Sequence, residues 1–186
     1  MMDHQTLIQL ALDCGATKAT IISQEQIVTS ATFRDICISN GCGLYGKCWM
    51  CPPDTGSIDI LMAEIQKYSH GLWYQTIRDL EDSFDFEGMT EAGRLHVLIS
   101  QKIQNIIKEL LPVDSLHLSC GGCRLCQRCT KLDGEPCRMP DKALSSLEAY
   151  GIDVYQTTKD TDLKYINGPD TVTFFGIVLF REEEDV

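Results

Sequence analysis

All but one of the ten cysteines in this chain fall into two short runs, a pattern that points to inorganic chemistry. In the second run, Cys120, Cys123, Cys126 and Cys129 follow one another at three-residue steps in CGGCRLCQRC, and Cys137 follows in EPCRMP. The first run is Cys37, Cys42, Cys48 and Cys51, in CISNGCGLYGKCWMCPP. Thiolates this crowded repel one another, and neighbours two residues apart cannot all meet the geometry of a disulfide. A metal ion or an iron–sulfur cluster satisfies both constraints.

Read from Cys123, the second run is C-x2-C-x2-C-x7-C, with Cys120 as a further sulfur upstream. Bacterial ferredoxins use C-x2-C-x2-C and a more distant cysteine beside proline, and here Pro136 precedes Cys137. The expected ligands of a 4Fe–4S cluster are therefore Cys123, Cys126, Cys129 and Cys137. Gly121 and Gly122 are expected to let the backbone approach inorganic sulfide. Arg124, Arg128, Lys131 and Arg138 interleave with the run and offset its negative charge, or are simply exposed. The rival is a tetrahedral zinc held by Cys120/Cys123 with Cys129/Cys137, although zinc prefers two separated knuckles.

The first run, C-x4-C-x5-C-x2-C-P, is looser, and Gly41, Gly43 and Gly46 broaden it. Its four thiolates could hold a second cluster, or three could hold one and leave a corner open to a substrate or a non-cysteine ligand. Tyr45 and Trp49 are expected to screen that site from water. A zinc site, one centre shared by both runs, and cysteines that are merely buried small hydrophobes are the alternatives.

Other residues carry weaker signals. Asp79, Glu81, Asp82, Asp85 and Glu87 form an acidic stretch that suits a helix start better than a cation site. His4, His70, His96 and His117 lie outside the cysteine runs, and His117 reads as a core histidine or a donor behind the second run. Cys14 stands alone and reads as structural. No phosphate-binding glycine loop or serine nucleophile elbow occurs.

The elements that must position these loops show in the apolar pattern. A helix is expected over Gln5–Cys14, strands over Ala19–Ser23 and Gln26–Val28 as a hairpin, and a helix after Asp54 or Ser57 with Ile58, Ile60, Leu61 and Ile65 on its apolar side. Gly71–Ile77 reads as a strand. The longest helix is expected to bury Leu95, Leu98, Ile99, Ile103, Ile106, Ile107, Leu110 and Leu111 and to end at Pro112. Ser115–Ser119 is a strand that delivers the second run. A helix is expected over Asp141–Tyr150 with Gly151 as its cap, then strands over Ile152–Gln156 and Thr171–Phe180, the last the most apolar and central. This alternation predicts a single α/β domain over residues 1–186 (α+β is the alternative), a mainly β-sheet centre covered by helices, with two cysteine-rich loops.

Composition bounds the function. The net charge of −11 argues against nucleic acid and against an anionic membrane surface. No run of 18 or more apolar residues occurs, and the opening residues lack the pattern of a signal peptide. A reducing cytoplasm is the expected compartment, where spaced cysteines read as metal ligands.

With both runs in view, the chain resembles a family of cysteine-rich predicted metal-binding proteins of anaerobic bacteria and archaea. The matching pieces are Asn40–Ser57, Gln75–Gly93, Cys123–Tyr155 and Thr171–Phe180. The resemblance implies ligands at Cys37, Cys42 and Cys51, and at Cys123, Cys126, Cys129 and Cys137. Cys48 and Cys120 stand where the family often carries another residue. The reading is a protein with one or two iron–sulfur clusters, acting in electron transfer or as a redox accessory to a partner protein. The alternatives are an enzyme binding a small molecule at an open-corner cluster, and a zinc-stabilised interaction module.

Overall fold

A computed structural model describes residues 3–110 and 115–182. Its elements are α1 (His4–Asp13), β1 (Lys18–Ser23), α2 (Thr32–Ile38), α3 (Ile58–Ile65), β2 (His70–Asp79), α4 (Phe86–Leu110), β3 (Leu116–Ser119), β4 (Ser145–Ser146), α5 (Val154–Lys159) and β5 (Thr171–Phe180). They form an α/β arrangement around one five-stranded sheet of order β1-β2-β5-β3-β4. Every pairing is antiparallel except that of β3 with β4. The apolar β5 takes the middle position, where both faces of a strand are covered.

Strand alternation divides the core. Leu72, Tyr74, Val178 and Phe180 face α1 and α4, meeting Leu7, Ala11, Ile99, Ile103 and Ile107. Trp73, Leu118, Phe175, Ile177 and Leu179 face the other way, against Ile65 of α3 and Leu147, Ile152 and Leu163. Gly176 lies opposite Tyr74 in the register, and its missing side chain makes room for the tyrosine ring.

Four expectations change. Gln26–Val28 is not a strand: β1 pairs with β2, and a 3-10 turn over Gln24–Gln26 follows, closed by Ser23 N–H donating to Gln26 Oε1 at 2.9 Å. Asp141–Tyr150 is not a helix, because Ser145 and Ser146 pair with Leu118 and Ser119 of β3 and satisfy its open side; only Glu148–Tyr150 forms a 3-10 turn, with Gly151 at φ 79°. Ile152–Gln156 contributes one bridge, to Thr29. Asp153 then accepts a hydrogen bond from Gln156 N–H at 2.9 Å and starts α5.

In α4 the buried face is more polar than the aliphatic repeat suggests. His96, Ser100 and Gln104 are buried, while Leu98, Ile106 and Leu110 are exposed and Leu95 is half-buried. The sheet face opposite explains it. Tyr74 Oη donates to Ser100 Oγ at 2.8 Å, Thr76 Oγ1 meets His96 Nδ1 at 2.8 Å, and Ser100 and Ser119 share a 2.9 Å bond. Buried hydroxyls select buried partners. Leu111 and Pro112, expected to close this helix, lie outside the described residues.

Candidate metal centre

β3 ends at Ser119 and releases the second cysteine run beside the middle of β5, since Leu118 pairs with Ile177. In the first run, Cys37 sits on α2, and the other three follow in the loop before α3. Named contacts dock the two segments. Trp49 Nε1 donates to Glu135 O at 3.0 Å, Lys131 pairs with Asp54, and the Lys131 ammonium lies 4.3 Å from the Trp49 ring centre. Ser145 Oγ contacts Met50 Sδ at 3.9 Å. Within the first loop, Tyr45 N–H donates to Asn40 Oδ1 and Gly46 N–H to Pro52 O, which fold it into successive turns.

All ten cysteines are free thiols. Nine gather at this corner of the molecule in an order that sequence position does not reveal. Cys123, Cys126, Cys129 and Cys137 line one small cavity of about 20 Å³, and Cys48 of the first run lines it with them. Trp49, Met50, Leu125 and Met139 complete its wall. Cys37, Cys42 and Cys51 line a second, larger cavity of about 360 Å³, together with Tyr45, Pro52, Gly121, Gly122 and Glu148. Cys120 lines a third, narrower gap with Gly122 and Cys123, against Val97 and Gln101 of α4. Cys14 is buried in the α1 side of the core.

Two sequence-based expectations are corrected here. Trp49 lines the cavity of the second-run sulfurs and Cys48, not that of Cys37, Cys42 and Cys51; Tyr45 alone stays with those three. Gly121 and Gly122 border the first-run cavity. A side chain at Gly122 would enter the space of Leu44 and stand 3.4 Å from Cys51 Sγ, so this glycine serves a sulfur of the opposite run. The acidic stretch lines neither cavity and takes the helix-start role expected of it. Asp85 accepts hydrogen bonds from the Glu81 and Gly88 amides and Asp82 from the Phe84 amide, so these carboxylates shape the entry to α4.

The electrostatics separate the sulfurs further. Cys48 is 2% exposed, yet a hydrogen bond from Cys51 holds its thiol down at about 6, against the effect of burial. The same bond, with burial, pushes Cys51 upward. Cys48 also contacts Cys129, so it stands between the two sets. Burial, with Glu148 nearby, pushes Cys120 up to about 12; burial likewise raises Cys123 and Cys37. Soft ligands bind as thiolates, so occupancy would release protons from these positions.

Glu148 is the residue that sequence reading misses. Burial raises its carboxyl, Ser146 hydrogen-bonds it, and it faces the cavity beside Cys37. Nothing in SSLEAY marks it, because its placement follows from the β3–β4 pairing. His117 lies in the core: its Nε2 meets Tyr74 Oη at 2.7 Å, and its Nδ1 has no hydrogen-bond partner among the described residues.

Sulfur-only and sulfur-rich donor sets suit soft centres. The smaller cavity has no room for an organic ligand, whereas the larger one falls within the size of small-molecule sites. Among the described residues, no helix is long and apolar enough to cross a membrane. A family model described as a predicted metal-binding protein (DUF2284) matches residues 20–180, a span that contains both cysteine runs. No curated protein and no solved structure matches the chain.

Proposed function

The chain belongs to this family of predicted metal-binding proteins, and we propose that it is an iron–sulfur protein acting in electron transfer or as a redox accessory to a partner protein. The observation that carries the reading is the convergence of five sulfurs from two distant segments on one small cavity, with no disulfide among them. Cys123, Cys126, Cys129 and Cys137 would hold a 4Fe–4S cluster, and such a cluster accepts and releases single electrons. Trp49, Met50, Leu125 and Met139 exclude water from it, which tunes potential.

A second reading concerns the larger cavity. Cys37, Cys42 and Cys51 offer three sulfurs, one fewer than a closed site needs, and they face about 360 Å³ of space with Glu148 and Tyr45 at its wall. This supports a second centre with an open corner where a small molecule binds, Glu148 holding or accepting its proton.

The test is analysis of anaerobically purified protein for iron, acid-labile sulfide and zinc, with a visible spectrum before and after dithionite. Equal iron and sulfide with a bleachable brown colour is expected. Zinc without sulfide sinks the redox reading and leaves a zinc-stabilised interaction module. An EPR signal of the reduced protein that shifts on adding a small-molecule ligand would place the open corner in use.

A further inference from the structure

A second group of metal-ligating side chains lies away from the cysteines, where β2 begins and β5 ends. We propose that His4, His70 and Glu182 form a binding site for a divalent transition-metal ion, with Zn²⁺ as its probe. His4 is the first residue of α1, His70 the first of β2, and Glu182 follows the end of β5. One ligand atom from each lies within 4.8 Å of the other two.

The side chains are held in place. Glu182 N–H donates to Ser69 Oγ at 3.2 Å, and Ser69 N–H to Phe180 O at 3.2 Å, which pins the chain past β5 to the start of β2. Phe180 stacks on the His70 ring at 6.0 Å and meets the His4 ring edge-on at 6.3 Å; the two imidazoles are 5.3 Å apart.

An ion pair accounts for only part of this arrangement. His4 Nε2 lies 2.7 Å from Glu182 Oε1, a satisfied contact. His70 Nδ1 lies 3.8 Å from the same oxygen, too far for a hydrogen bond, and this buried nitrogen has no hydrogen-bond partner among the described residues. One cation between the three atoms satisfies all of them. Zinc at about 2.1 Å from nitrogen and oxygen holds tetrahedral ligands about 3.4 Å apart, within the spread seen here. Two imidazoles and a carboxylate favour zinc, iron, nickel or copper over calcium or magnesium. The three side chains are partly exposed, which leaves a coordination position open to water. The ion would join α1, β2 and β5 in one clamp. His4 and Glu182 fall outside the span of 20–180 that the family model matches.

The test titrates anaerobic, iron-loaded protein with Zn²⁺, comparing the native chain with His70→Ala, Glu182→Gln and His4→Ala. Zinc and iron per chain and the unfolding temperature are the readouts. Native protein is expected to take up one more Zn²⁺ than each variant and to gain thermal stability from it, with iron unchanged throughout. His4→Ala alters a helix terminus, and so it keeps the comparison valid if the core-side variant folds poorly. Equal zinc uptake by native protein and variants, or zinc uptake matched by iron loss, overturns the proposal. Failure of the cysteine reading shows separately, in iron and sulfide content.

Discussion

Cys48 illustrates how much a single residue's neighbours decide. It lies three positions before Cys51, but its side chain is turned to Cys123, Cys126, Cys129 and Cys137, and its bonds to Cys51 and Cys129 place it between two sets. The partition predicts separable losses. Cys129→Ala should remove the centre at the smaller cavity, and Cys51→Ala the one at the larger, each lowering iron per chain by about half while the other EPR signal survives. Loss of all iron in either variant would mean one shared centre. The same scale explains Gly122, whose bare Cα lets Leu44 and Cys51 close over the second run's backbone.

At the scale of elements, β5 organises the molecule, because both faces of its centre are buried and β2 and β3 pair on its two sides. Gly176 marks its most constrained point: a methyl there would occupy the same space as the Tyr74 ring, which cannot fold away as a flexible side chain could. Gly176→Ala should therefore cost about 1–3 kcal/mol in unfolding free energy. It should also disturb the Tyr74–Ser100 and Tyr74–His117 bonds. Chemical denaturation measures the cost, and an unchanged midpoint would contradict the packing argument. The short β4 has the opposite character. Its two residues form no strong local pattern, and it exists because β3 leaves unpaired main-chain groups at the sheet edge.

For the whole molecule, the buried layer between the sheet and α4 sets a pH dependence. Burial lowers His96 to about 4 and His117 to about 3, below the usual 6.5. Both are therefore neutral in the folded protein at pH values where the unfolded chain would protonate them. Stability is fully present above about 6.5 and falls as pH drops toward these lower values. Between about pH 7 and pH 5 each histidine should cost about 2 kcal/mol, read as a falling unfolding temperature. His96→Gln should flatten that slope; an equally steep slope in this variant would discount the histidine's role.

The chain's own residues determine that metal chemistry is the subject, because cysteines at three-residue steps have few other physical uses. They also determine α1, β2, β3, α4 and β5, whose apolar periods are long enough to dominate local choice. Other features follow from contacts between segments far apart in the chain: the pairing of β3 with β4 in place of a helix, the polar face of α4, the grouping of Cys48 with the second run, and the approach of Glu148 to Cys37. Periodicity and spacing are local quantities, whereas each of these depends on which unpaired groups the sheet edge presents and which side chains the docked loops bring into reach. The fold of the two loops against that edge sorts eight of the nine clustered sulfurs into a set of five and a set of three, with Cys120 lining a separate gap.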